Sequence, residues 1–229
     1  MNITSPPPQG HVRLTLSSEE AVHVLHTKAI IAYRGAPGNR EDRFMDLAGA
    51  YRKRKWTRAR LQGPCEFLLG LPQGCTLETV DIEAGSDLLF DFRHVIFFSD
   101  GMTTKSRVQK LRTAWITKEL VRMQFGGPGT LGILSLGGIA AVQLHPERPL
   151  YVDAGSLVAF PHHAAVRLSV YGNPLASQQM NVQWELTGSG PALVQTGLQD
   201  PDLMEQLRGD GVFKRLLREL LPFGSVYIK

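Results

Sequence analysis

Three stretches of this chain can be laid over one another without a gap, and that repetition limits the available folds more than any other feature. They are Leu16–Tyr33, Ile82–Ser99 and Leu144–Pro161. Each reads as an apolar residue, a polar turn, a short strand, a second turn and an apolar strand. Val22, Leu88 and Leu150 share a column. Val24, Phe90 and Val152 follow two residues later, as one face of a strand requires. Ile30, Ile96 and Val158 form a later column, and Asp91 coincides with Asp153 where the first copy has Leu25. A second element recurs between the copies: Gln62-Gly63-Pro64-Cys65, Gly126-Gly127-Pro128-Gly129 and Ser189-Gly190-Pro191-Ala192. Each follows a strand with an apolar residue near its end, at Leu61, Phe125 and Leu186. Glycine supplies the bend, and proline fixes φ and removes a ladder donor, so the pair belongs at a corner or sheet edge. Short strands cut by Gly/Pro turns every ~10 residues predict a mainly β sandwich or rolled barrel, not βαβ units.

Three stretches carry helical spacing instead. Asn39 to Lys55 places Phe44, Leu47, Ala48 and Tyr51 on one face, with Asn39 in the N-cap position. Asp200-Pro201-Asp202 opens a short helix, with proline at its first position. Asp210 to Leu221 carries a stripe of Phe213, Leu216, Leu217, Leu220 and Leu221, stopped by Pro222. The expected layout is a flexible Pro-rich arm over 1–10 and a tandem β domain over 11–197. Within that domain, pseudo-repeats run from about 14–80 and 81–197 with a helical insertion at 39–55, and a helical tail covers 198–229.

Composition is permissive. Hydrophobic residues make up 43% and charged residues 20%, enough for a packed core. The net charge of +4 allows an anionic partner without demanding one. Cys65 and Cys75 do not make a disulfide framework and read as small core residues. The first eight residues lack a basic and an apolar signal region, and no run reaches the ~18 apolar residues of a membrane span. A cytoplasmic protein is expected.

Catalytic chemistry finds no foothold. A jelly roll raises the possibility of a cupin metal site or small-ligand site, which needs two histidines two apart on a strand. His162 and His163 are adjacent and so face opposite sides. His145 and Glu147 enclose Pro146 and precede Pro149, which reads as a turn. His23 and His26 belong to another repeat. Ser135 and Ser156 lack a nucleophile elbow, and the glycines from Gly126 to Gly138 lack the lysine of a phosphate loop. No catalytic, metal or cofactor residue is assigned, and no enzyme activity is expected. The strongest charge signal is Tyr51 to Arg60. Its Arg52, Lys53, Arg54, Lys55, Arg58 and Arg60 could grip a nucleic acid or an anionic lipid surface. The plainer reading is a solvated edge on which basic residues deter strand-to-strand aggregation. Lys105, Arg107, Lys110 and Arg112 form a looser second group. The leucine stripe of the tail fits a membrane surface or, more simply, a β core or a neighbouring subunit.

Leu150-Tyr-Val-Asp-Ala-Gly-Ser-Leu-Val-Ala-Phe160 resembles the signature of the altered-inheritance-of-mitochondria protein twenty-four family. So do the Phe125-Gly-Gly-Pro-Gly-Thr130 corner and Leu186-Thr-Gly-Ser-Gly-Pro191 with Val194-Gln195-Thr196. These are bacterial proteins with fungal mitochondrial relatives, and the match runs from about Leu14 to Gly197. The resemblance implies tandem double-stranded β-helix units, a shortened jelly roll similar to that of the tryptophan RNA-binding attenuation protein. It also implies a homotrimer with the units forming a ring; the mitochondrial relatives are linked to inner-membrane organisation. The expectation is a non-enzymatic oligomeric scaffold with an unknown macromolecular partner. A binding module for an anionic partner and a cupin-like binder or enzyme are the alternatives.

Overall fold

The computed structural model describes residues 1–4, 10–44, 57–108, 121–170 and 182–197. After a short leading strand, β1 (Asn2–Thr4), the strands fall into three successive sixes. Unit 1 holds β2 (His11–Leu16), β3 (Ala21–Val24), β4 (Ile30–Gly35), β5 (Arg40–Phe44), β6 (Thr57–Gln62) and β7 (Cys65–Gly70). Unit 2 holds β8 (Cys75–Ile82), β9 (Leu88–Asp91), β10 (Val95–Ser99), β11 (Thr103–Val108), β12 (Val121–Gly126) and β13 (Gly129–Leu136). Unit 3 holds β14 (Ile139–Gln143), β15 (Leu150–Asp153), β16 (Leu157–Pro161), β17 (Ala165–Val170), β18 (Val182–Thr187) and β19 (Pro191–Gln195).

The pairing scheme is the same three times. The sixth strand of each unit lies between the first and the third. The fifth lies between the second and the fourth. All pairs are antiparallel, so each unit supplies two three-stranded ribbons. Three units of six strands therefore replace two blocks divided near residue 80.

Neighbouring units are sewn together by one further pairing. The second strand of a unit pairs with the third strand of the next, β3 with β10 and β9 with β16. Two continuous six-stranded sheets result, ordered β5-β6-β3-β10-β13-β8 and β11-β12-β9-β16-β19-β14. The ends remain as a four-stranded sheet, β1-β2-β7-β4, and a three-stranded sheet, β15-β18-β17.

Local chemistry accounts for the shared features. The Gly-Pro elements sit at the corner between the fifth and sixth strands. A Cβ at Gly63 would land on the Ser17 carbonyl and one at Gly127 on the Ile82 carbonyl, so only glycine lets the chain cross there. In the last unit Gly190 turns with φ +92° instead. The Asp91 and Asp153 column marks a turn device: Asp91 Oδ1 accepts from Arg93 N (3.0 Å) and Asp153 Oδ2 from Gly155 N (3.0 Å). Leu25 cannot do this, and unit 1 turns through a longer segment that includes a 3-10 turn at Thr27–Ala29.

That longer turn shifts the later column by one residue. Each third strand carries a register break against the sixth: at Ile31 in β4, Ile96 in β10 and Val158 in β16. Ile31, not Ile30, is the true counterpart of Ile96 and Val158. The bulged residue serves the neighbouring unit. Ile96 joins the core of Val22, Val24, Leu61 and Phe67 in unit 1. Val158 joins that of Phe90, Phe125 and Leu131 in unit 2. A third core gathers Leu144, Val152, Leu157, Trp184 and Leu186 in unit 3.

The helix expected over 39–55 is not formed by its described part. Asn39 closes a 3-10 turn and Arg40–Phe44 is strand β5, in register with β6 from Arg40↔Leu61 to Phe44↔Thr57. Alternation explains this. Residues two apart share a strand face, so Arg40 meets Asp42 (3.1 Å) and Arg43 meets Glu41 (2.7 Å). Residues 45–55 lie outside the described residues, as do both helices expected in the tail. The long connection at this point is not private to unit 1. Residues 45–56, 109–120 and 171–181, outside the described ones, all fall between the fourth and fifth strands of their units. In the leading arm, Asn2–Thr4 pairs with Arg13–Thr15.

Candidate functional site

A polar assembly lies where β3 of unit 1 meets β10 of unit 2. Pairing puts His23 opposite Phe98 on one side and opposite Arg60 of β6 on the other. Asp100, just past β10, is thereby brought beside both. His23 Nε2 lies 2.7 Å from Asp100 Oδ1, and Arg60 Nη2 donates to Asp100 Oδ2 at 2.6 Å. The other Arg60 contact runs to Gln62 Oε1 (3.0 Å), and Gln62 Nε2 donates to the Ser18 carbonyl (3.1 Å). The imidazole stacks on Phe98, with ring centres 4.8 Å apart.

Electrostatics fix the protonation of this group. His23 Nδ1 is buried with no hydrogen-bond partner. A second ring proton would have no acceptor, so desolvation holds the His23 pKa below its ordinary value, against the pull of Asp100. The Arg60 hydrogen bond holds the Asp100 carboxyl below the usual carboxylate range. The pair is thus a neutral imidazole donating Nε2–H to a carboxylate.

A cleft of about 800 Å3 opens beside it, lined by Glu20, Arg60, Thr79, Ser99 and Asp100 among others. Most of these groups are already spent on one another. Ser99 Oγ accepts from Thr130 N (3.0 Å), and Glu20 accepts from Ser17 N (2.7 Å) and pairs with the Met1 amino group. Among the described residues no activated nucleophile lines the cleft. Among the described residues no group of three His, Cys, Asp or Glu side chains could hold a metal ion.

The second junction repeats the device with other residues. His163 Nδ1 lies 2.6 Å from Asp87 Oδ2, and Nε2 lies 3.2 Å from the Ser189 carbonyl. At the same unit boundary, Arg122 of β12 is buried with its guanidinium over the rings of Phe160 (4.3 Å) and Trp184 (5.1 Å) of unit 3. Each formed junction therefore carries a His–Asp pair across the unit boundary. Sequence reading missed both pairs, whose members are 77 and 76 residues apart. Only the strand register brings them together.

The basic segment fares unevenly. Arg52, Lys53, Arg54 and Lys55 lie outside the described residues. Arg58 and Arg60 lie on β6, and Arg60 is committed to Asp100. The histidines weighed for a cupin site are scattered. His145 Nδ1 accepts from Glu147 N (3.1 Å) in a turn, and His162 and His163 are exposed. Cys65 and Cys75 are free thiols in different units, both pushed up in pKa by burial.

This is a mainly β protein of three tandem six-stranded units whose polar clusters cement the unit boundaries. The chain belongs to the AIM24 family, described as mitochondrial biogenesis AIM24, whose model matches residues 12–212. The crystal structure of a Streptococcus pyogenes protein is similar at TM-score 0.63 and 15% identity, over 96% of this chain and 99% of that one. At that identity the likeness concerns the fold alone. No curated protein matches the chain. Among the described residues no helix is long and apolar enough to cross a membrane.

Proposed function

We propose that this protein is a non-enzymatic assembly scaffold of the cytoplasm. It acts as a homo-oligomer, a trimer by its family resemblance, that presents tandem units of the double-stranded β-helix type to a macromolecular partner. The observation that carries this reading is the use made of its polar side chains. In the cleft beside the first junction, Asp100, Arg60, Gln62, Ser99 and Glu20 are each bound to another protein group, and the bonds of Asp100 span two units. Catalytic sites leave acids, bases or donors facing the substrate; these face each other. The family description, mitochondrial biogenesis, fits an organising role better than a defined reaction. Light scattering on the purified chain at micromolar concentration tests the proposal. An assembly of several chains is expected, and a strict monomer would sink it.

A further inference from the structure

Strands β11 and β12 of unit 2 read Thr-Thr-Lys-Ser-Arg-Val and Val-Arg-Met-Gln-Phe-Gly, with three cations and no acid. They pair in register from Thr103↔Gly126 to Val108↔Val121. Residues two apart share a strand face, so Lys105 and Arg107 stand on one side with Gln124 and Arg122 directly opposite them. On the other side Met123 and Phe125 are buried in the core of unit 2. Lys105 and Arg107 are exposed, and neither makes a hydrogen bond or ion pair with a described residue. We propose that this face of the β11–β12 hairpin binds a phosphate group, with Lys105 and Arg107 as its contacts and Arg122 as a fixed charge beside them.

Comparison of the three units shows what sets this hairpin apart. Arg107 lies directly across from Arg122, and like charges in that relation destabilise a strand pair. The column of Val24, Phe90 and Val152 aligns this place with Arg43↔Arg58 in unit 1 and Ser169↔Gln183 in unit 3. In unit 1 the acid two residues away, Glu41, binds Arg43 at 2.7 Å. Unit 3 has no charge at this place. Unit 2 keeps both arginines, and Lys105 stands where unit 1 has Glu41. The register does set one acid beside Arg122, Asp91 of β9, and Asp91 accepts from Arg93 Nε at 2.9 Å. Arg122 is 5% exposed and held over Phe160 and Trp184, so its charge stays opposite Arg107. An anion resting on Lys105 and Arg107 relieves that opposition.

The residue types narrow the ligand. A guanidinium meets phosphate oxygens through two parallel N–H bonds, and an ammonium adds a compact charge. Single-stranded nucleic acid is gripped by its bases as well, stacked on aromatic rings. The ring on these two strands, Phe125, is 0% exposed, so the hairpin face offers charge and no stacking surface. It fits a phosphate group alone, carried by a lipid headgroup or by a small soluble ester. Every group of the site lies in one chain, so it exists whether or not copies assemble.

The test uses the full chain and two probes: phosphatidylglycerol vesicles in co-sedimentation, and inorganic pyrophosphate followed by the amide NMR signals of β11 and β12. Arg107→Glu and Lys105→Glu remove the contacts. R107E also sets a carboxylate opposite Arg122, a pairing that favours the strands, so lost binding is not lost folding. Arg148→Glu makes the same charge change at an exposed residue in the turn between β14 and β15. Salt-sensitive binding to one of the probes is expected, weakened about fivefold or more by R107E and by K105E but not by R148E. Binding of vesicles without pyrophosphate assigns the phosphate to a lipid headgroup, and binding of pyrophosphate assigns it to a soluble ester. Equal weakening by all three variants means attraction by net charge and overturns the site, as does absence of binding at low salt. An RNA oligomer that binds where both probes fail makes the hairpin a nucleic-acid surface and overturns it too.

Discussion

Strands β4, β10 and β16 hold the same place in their units and live in different surroundings. Val95–Phe98 of β10 and all of β16 are buried, while no residue of β4 is. A second strand lies against the outer edge of β10 and β16, and none among the described residues lies against β4. The sequences follow that difference. Val-Ile-Phe-Phe and Leu-Val-Ala-Phe are apolar on both faces, as strands enclosed on both sides must be, whereas β4 reads Ile-Ile-Ala-Tyr-Arg-Gly. Tyr33 and Arg34 keep a polar tip at the surface, with Arg34 reaching Glu66 at 3.4 Å. What a repeat position demands is thus set by its neighbours as much as by its place in the unit.

The largest effect should come from truncating a third-strand side chain in each of two units. Phe97 is 0% exposed, faces Val24 across the first junction and packs over Gly132, where a Cβ would strike its ring. Phe97→Ala should cost about 3–5 kcal/mol in urea unfolding, the range for deleting a buried phenylalanine. Ile31 is 60% exposed, so Ile31→Ala should cost less than about 0.5 kcal/mol. Equal losses at the two sites would erase the distinction between a buried and an exposed third strand.

Much of this architecture is written locally. The Gly-Pro corners, the apolar columns and the Asp91 and Asp153 turns are short-range signals, and each marks a real feature of the unit. What escaped sequence reading depends on register or on length. The column through Ile30 slipped by one residue because Thr27–Ala29 winds an extra turn that no apolar pattern announces. The segment after Asn39 looked helical because Phe44 begins a spaced apolar set. Arg40–Phe44 is instead held as a strand by β6 and by ion pairs between residues two apart. The polar clusters were illegible for another reason. His23 and Asp100 acquire meaning only when β3 lies against β10, a contact that no motif encodes.

The two formed junctions should also respond differently to acid. In the first, His23 and His26 contact Phe98 and Phe92 across the boundary, and burial holds both imidazoles below their ordinary value of 6.5. His94 is held down in the same way while its Nδ1 contacts the Leu134 carbonyl. Lowered folded-state values mean that the unfolded chain binds more protons between the two pKa values. The stability these groups lend is complete above about pH 6.5 and is lost as pH falls through their folded values. Asp100, also lowered, surrenders its share only below its ordinary 3.8. At the second junction His163 is exposed and both its ring nitrogens face acceptors, Asp87 and Ser189. Amide exchange from pH 8 to pH 5 should therefore speed up in β3 before it does in β9. Protection that is flat with pH in β3, or lost first in β9, would contradict this assignment.

The smallest expected effect belongs to the ion pair that ties Arg60 to Asp100. Both side chains are about one-third exposed, 36% and 35%, so water screens much of their attraction. Arg60→Ala should cost at most about 1 kcal/mol, and a double-mutant cycle with Asp100→Asn should give a coupling within the same limit. His23 still donates to Asp100 in that variant, so the carboxylate keeps a partner and the strand register persists. The same variant separates two roles for the basic segment. If Arg60 serves the junction, R60A leaves salt-sensitive binding to RNA or anionic vesicles unchanged at low salt, whatever Arg52 to Lys55 contribute. A several-fold loss of such binding would mean that Arg60 leaves Asp100 to meet a phosphate, and the first junction would then be a binding surface as well as a seam.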